Sequence, residues 1–144
     1  MKHVLILAAF ALAAPAHSFA QTLKPAQVPA AAKATFKAKF PAVKTNTWER
    51  EGDKFEAGFK LNGKMMSAVF TPAGELLETE TDMLPGQLPA PVRATLARDY
   101  QAYKVREAAT IVAATGTTTY EAEVSKGGKT QDVLFNADGT LVKK

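Results

Sequence analysis

Val28-Pro29-Ala30-Ala31-Ala32-Lys33-Ala34-Thr35-Phe36-Lys37-Ala38-Lys39-Phe40 is written twice in this chain. Sixty positions later stands Leu88-Pro89-Ala90-Pro91-Val92-Arg93-Ala94-Thr95-Leu96-Ala97-Arg98-Asp99-Tyr100. Pro29, Ala30, Ala34 and Thr35 recur as Pro89, Ala90, Ala94 and Thr95, and Lys33 recurs as Arg93. Ala32, Phe36, Phe40 and Val43 recur as Val92, Leu96, Tyr100 and Tyr103. The first three fall at i, i+4 and i+8, one stripe of a helix, and a proline opens each copy where a missing N–H costs nothing. Two copies of one unit set the fold, because each alone buries too little. Helix 1 is expected from about Pro29 to the break at Pro41, and helix 2 over residues 89–102. Lys33, Lys37 and Lys39 fall off the stripe and read as a solvated face, with a basic docking surface as the alternative.

Downstream of the first helix the period changes from helical to alternating. Thr45 to Arg50 reads as a strand. Phe55, Ala57, Phe59 and Leu61 alternate with polar residues, and Asn62-Gly63 is a hairpin turn whose residues tolerate positive φ. That turn places Leu61 opposite Lys64, Phe59 opposite Met66, Ala57 opposite Ala68 and Phe55 opposite Phe70. Pro72-Ala73-Gly74 turns the chain into a fourth strand over residues 75–80. The second copy repeats this with strands at residues 108–114, 118–125 and 130–136, and Leu141-Val142 answering Leu76-Leu77. Gly127-Gly128 pairs Val124 with Gln131, Ala122 with Val133 and Tyr120 with Phe135. The offset grows from 60 to 65, so five extra residues fall near 110–117. Residues 21–27 read as a loose leader and 81–87 as a short joint.

The fold class is therefore α+β: a tandem duplication of a helix followed by four antiparallel strands, spanning residues 28–80 and 88–142. One continuous eight-stranded sheet with both helices packed on one face is expected, with two separate lobes as the alternative.

Residues 1–20 read as a signal peptide. Lys2 and His3 precede an apolar run too short to span a bilayer, and Ser18-Phe19-Ala20 suits a signal peptidase cutting before Gln21. The mature chain, residues 21–144, is then periplasmic or secreted. Cleavage removes Lys2 and both histidines, leaving 17 Lys+Arg against 14 Asp+Glu, no His and no Cys. No later segment is long and apolar enough to cross a membrane. A surplus of three positive charges gives no footprint for nucleic acid. Without disulfides, stability has to come from one packed core.

The same inventory argues against catalysis. No Ser-His or Cys-His pair can form, and zinc of the common type has no ligands. Ser67 and Ser125, the remaining serines, sit in or beside hairpin strands outside any nucleophile-elbow pattern. No phosphate loop appears. Catalytic, cofactor and metal sites are expected to be none. Glu75, Glu78, Glu80 and Asp82 form the densest acidic group; it reads as a solvated strand edge, against a weak cation site or a catalytic pair. Asn136-Ala137-Asp138-Gly139 reads as a turn rather than a calcium loop. Trp48 reads as packed under a helix, with a partner anchor as the alternative. Speculative partner-binding residues are Trp48 and, in the extra stretch, Thr110, Thr115 and Thr117.

Leu88-Pro-Ala-Pro-Val92, Tyr120-Glu-Ala-Glu-Val124 and Val133-Leu-Phe-Asn-Ala-Asp-Gly-Thr-Leu141 resemble the PepSY-like family of exported bacterial proteins, described as beta-lactamase-inhibitor-like. Val28-Pro29, Phe55-Glu56-Ala57 and Gly74-Glu75-Leu76 carry the same marks in the first copy. The resemblance covers residues 28–142 and implies tandem helix-plus-sheet units and a non-enzymatic binding or inhibitory role. It supplies no catalytic residues. The inhibitor behind that label is disulfide-bonded, and this chain departs from it in having no Cys.

The expected function is an exported binding module, an inhibitor or modulator of an envelope or secreted protein, whose partner is a protein or peptide. The alternative is a small-ligand or cation-binding envelope protein. Clustered aromatic and apolar residues on the sheet face away from the helices would indicate a partner, whereas Thr, Glu and Lys there would suit a spacer.

Overall fold

The structure, a computed structural model, describes residues 21–143; the expected signal peptide, residues 1–20, lies outside the described residues. Ten elements follow one another. They are β1 (Gln21–Thr22), α1 (Ala30–Lys39), β2 (Asn46–Glu51), β3 (Lys54–Leu61), β4 (Lys64–Phe70), β5 (Leu76–Met83), α2 (Ala90–Asp99), β6 (Lys104–Ala113), β7 (Thr118–Lys126) and β8 (Lys129–Phe135). The strands make one antiparallel sheet in sequence order, β1 to β8.

Both hairpin registers are as the turns dictate. Phe55 pairs with Phe70, Ala57 with Ala68 and Phe59 with Met66; Tyr120 pairs with Phe135, Ala122 with Val133 and Val124 with Gln131. Asn62 at φ 52° and Gly63 at φ 81° supply the left-handed pair that a tight turn requires. Because directly opposite residues share a face, the rows Trp48–Ala57–Ala68 and Tyr120–Phe135 lie on one side of the sheet. Both helices pack on that side. Ala32 and Phe36 of α1 join Trp48, Phe55, Phe59 and Phe70, while Val92 and Leu96 of α2 join Ala108, Val124, Val133 and Phe135. Instead of one packed core there are two clusters. The half-buried floor between them is Thr79, Thr81 and Thr110.

The turns after β4 and β8 are matched. Gly74 and Gly139 both adopt positive φ, and a Cβ on Gly74 would stand 2.7 Å from the Ala31 backbone, one on Gly139 2.5 Å from the Pro91 carbonyl oxygen. Each turn thus presses against the first turn of a helix, where only glycine fits.

Four expectations need correction. Residues 21–27 are no loose leader. Gln21 and Thr22 pair with Arg50 and Glu49, and a 3-10 turn follows at Pro25–Gln27. The Lys24 N–H donates to Gln27 Oε1 at 2.8 Å, and the Leu84 N–H donates to Gln87 Oε1 at 2.9 Å in the matching turn. Helix 2 stops at Asp99 rather than residue 102, because Tyr100 leaves helical geometry and sets its ring against Tyr103 and Phe135. The joint at residues 81–87 is the end of β5, which runs to Met83, followed by a 3-10 turn at Pro85–Gln87, and β6 begins at Lys104 rather than residue 108. Leu141 makes only an isolated bridge to Phe135, so the eighth strand of the sheet is supplied by β1 at the opposite end.

Candidate functional site: the open face of the sheet

The face away from the helices carries Glu49, Glu56, Glu78, Glu80 and Asp82 from β2 to β5. From β6 to β8 it carries Glu107, Glu121, Glu123 and Asp132. Strand alternation puts them there, since each flanks a residue that faces a helix. Register then sets like charges opposite one another. Glu49 pairs with Glu56, and Glu107, Glu123 and Asp132 form a row across three strands. Such rows weaken a sheet. Among the described residues the ion pair within 4 Å is Arg98–Asp99, on the exposed end of α2, so these acids have no cation in contact.

Two of these carboxyls sit deeper than the rest. Burial, then Glu121, Glu56, Asp82 and Glu78, push Glu80 up to about 7. Burial, then Asp132, Glu123, Glu78 and Glu56, push Glu121 up to about 7. Desolvation and unanswered like charge both favour the neutral acid. Between them β6 lays Ala109, Ile111 and Ala113 on the same face, an apolar strip with Ala109 buried. At one end the face dips into a hollow of about 490 Å³ lined by Lys104, Arg106, Glu107, Glu123, Ser125 and Lys126. A register shift between Val105 and Glu107 frees Arg106 from the ladder there.

The sequence located these acids only in part. Glu78, Glu80 and Asp82 do share a face, but β5 is the fifth of eight strands and not an edge. Strand order has no local signal, and the partners from β7 and β8 looked like ordinary alternation. Among the described residues no three His, Cys, Asp or Glu side chains converge to hold a metal ion. Among the described residues no aromatic side chain lies on this face; its apolar members are aliphatic, Val69, Ile111 and Leu134 among them, and are interleaved with the acids rather than clustered with rings.

The singled-out residues lie elsewhere. Trp48 is buried under α1, its ring 5.6 Å from Phe36 and 5.8 Å from Phe70, and a partner cannot reach it. Thr110 is a strand residue on the helix side whose Oγ1 donates to Met83 Sδ at 3.3 Å. Thr115 and Thr117 are exposed at the β6–β7 turn with hydroxyls 3.2 Å apart. The structure does not gather the four into one site. Asn136 to Thr140 is a turn as expected, with Asp138 Oδ1 accepting from the Thr140 N–H and hydroxyl.

No family model matches the sequence, and no curated protein matches it. Solved structures do. A candidate periplasmic protein from Bacteroides eggerthii superposes with a TM-score of 0.72 at 20% identity, over 81% of this chain and 86% of that one. A DUF2874 family protein from Bacteroides uniformis gives 0.72 at 19% identity, over 81% and 87%. A BLIP-like protein from Bacteroides fragilis gives 0.65 at 23% identity, over 84% and 85%. No helix among the described residues is long and apolar enough to cross a membrane. The chain shares its α+β fold, two helices on an antiparallel sheet, with these proteins.

Proposed function

We propose that this protein is an exported, non-catalytic module that receives a basic segment of another envelope or secreted protein on its open sheet face and so modulates or inhibits that protein. The observation that carries the reading is the set of acids held directly opposite one another with no cation in contact. A spacer gains nothing from such rows, which cost stability. An extended Lys- or Arg-rich chain would relieve them, laying its aliphatic stems on Ala109 and Ile111 and its charges between the carboxylates. The periplasmic and BLIP-like descriptions of the structural neighbours favour export and protein binding. The signal-like residues 1–20 favour the same address, and the absence of His and Cys beyond residue 17 favours a role without catalysis.

We further propose that the fold arose by tandem duplication, with units shifted from the sequence reading. Each begins at the strand before its Pro-x-Gln turn, so that β1 to β4 and β5 to β8 form the copies.

The test is titration of the mature protein with a decalysine peptide at low and high salt. Tight binding at low salt that weakens with salt, and that fails when Glu56 and Glu123 are both changed to Lys, supports the reading. Salt-independent binding, or unchanged binding by the double variant, overturns it. Intact mass beginning at Gln21 checks export.

A further inference from the structure

A second concavity lies on the helix side, in a groove of about 340 Å³ between α2 and the start of β6. Its walls include Pro85, Arg93, Leu96, Tyr100, Gln101 and Tyr103. We propose that this groove binds an aromatic ring bearing a carboxylate. The site uses the opposite side of the sheet from the acidic face, so it stands or falls independently of the proposed function.

The volume suits a small ligand, within the usual range of about 300–1,000 Å³. The first half of the molecule shows what kind of group fits such a space. There Phe36, Phe40 and Phe59 pack ring on ring, with centroids 4.7 to 5.3 Å apart. In the second half Leu96 stands where Phe36 does, and Val124, opposite Val105 of the groove wall, stands where Phe59 does. Two rings are missing, and the groove occurs beside them. Tyr100 and Tyr103 border it edge to face, 5.7 Å apart, a surface on which a third ring can stack. The Tyr100 phenol is protonated at neutral pH, and burial, Asp99 and Tyr103 raise its pKa further.

Charge selects the second part of the ligand. Arg93 is the one charged side chain in the lining. Its Nε donates to the Leu88 carbonyl at 3.1 Å, which fixes the plane of the guanidinium, and no acid stands within ion-pair distance. The counterpart Lys33 is differently engaged, its ammonium donating to the Pro25 carbonyl at 2.8 Å. A fixed guanidinium fork matches a carboxylate.

The probe is N-acetyl-phenylalanine, followed by NMR of the mature protein. Shifts confined to Arg93, Tyr100 and Tyr103, with a dissociation constant of about 1 mM or tighter, are expected. N-acetyl-phenylalanine amide and N-acetyl-alanine should each bind about tenfold more weakly or worse. A glycine hexapeptide ending in phenylalanine separates the sources: binding as tight as the free acid points to a peptide C-terminus, and its exclusion to a free aromatic acid, either of which supports the site. Arg93→Gln should weaken the probe about tenfold. Leu96→Phe, which restores the ring of the first half, should abolish binding; Ala97→Phe, at an exposed rim position, blocks the groove without touching the core. No shifts up to about 10 mM, equal binding of the amide, or full binding by both Arg93→Gln and Ala97→Phe overturns the proposal.

Discussion

The two halves of the molecule share a backbone and fill it differently. In the first, Phe36, Phe40, Trp48, Phe59 and Phe70 form a continuous set of rings with centroids 4.7 to 6.3 Å apart. In the second, the matching interior holds Leu96, Ala108 and Val124, and its ring contacts are Tyr100 with Tyr103 and with Phe135. Hairpin registers, the glycine approach to the helix and the 3-10 turn are the same in both. Turns and alternation therefore set the backbone, and the identity of the core residues sets how completely the space is filled. The ring-poor half is the one with the groove.

The sharpest way to break this comparison is to remove one matched ring from each half. Phe70→Ala and Phe135→Ala both empty fully buried positions and should each cost about 3–5 kcal/mol. Phe70 should cost more, because it touches two rings, Phe36 and Trp48, where Phe135 touches one. Urea denaturation in which Phe135→Ala is the more damaging would show that ring packing is not what distinguishes the halves.

A smaller difference lies in how each helix is tied down. Thr95 donates its buried hydroxyl to the Gly139 carbonyl at 2.9 Å. Thr95→Val should cost about 1–2 kcal/mol by orphaning that carbonyl. Thr35→Val, at the half-buried counterpart, should change stability by less than about 0.5 kcal/mol. Equal losses by thermal denaturation would erase the distinction.

The acidic face crosses both halves, and its two deepest carboxyls, Glu80 on β5 and Glu121 on β7, flank β6. Both carboxyls titrate near 7 in the fold, above the ordinary value of 4.5. The folded protein therefore holds these protons more tightly than the unfolded chain. Their contribution is complete below about pH 4.5 and is lost as pH rises to about 7. Glu80→Gln or Glu121→Gln should stabilise the protein by about 1 kcal/mol at pH 8, the figure left after solvent screening at half-buried positions. At pH 4 the gain should vanish. A gain that persists at pH 4 would assign it to packing instead. Smallest of all, Thr115→Ala and Thr117→Ala at the β6–β7 turn should each stay within about 0.5 kcal/mol by the same measurement. A larger loss would make that turn part of the fold.

Much of this architecture is legible in the residues. Asn62-Gly63 and Gly127-Gly128 fix two registers, and the stripes through Phe36 and Leu96 mark the buried faces of both helices. The N-terminal strand was legible too, in Pro25-Ala26-Gln27 and Pro85-Gly86-Gln87 sixty positions apart, but alanine-rich surroundings disguise a turn as a leader. The acidic face was hidden for a different reason. Its members come from six strands, and only their lateral order makes neighbours of Glu107, Glu123 and Asp132. Nothing local in a strand reports which strand lies beside it. The groove depends on what is missing at Leu96 and Val124, and absence shows only when the halves are laid over each other.

Strand order that follows chain order also bears on how the protein forms. Each strand pairs with its neighbours in sequence, and the widest gaps between partners are those spanned by α1 and α2. The chain closes no long loop before a contact forms, so the entropy to be overcome at each step is small. A chain emerging N-terminus first, from a ribosome or under the proposed export from a channel, can add its strands one after another, each onto an edge completed moments before. The half that emerges first is also the one filled with rings.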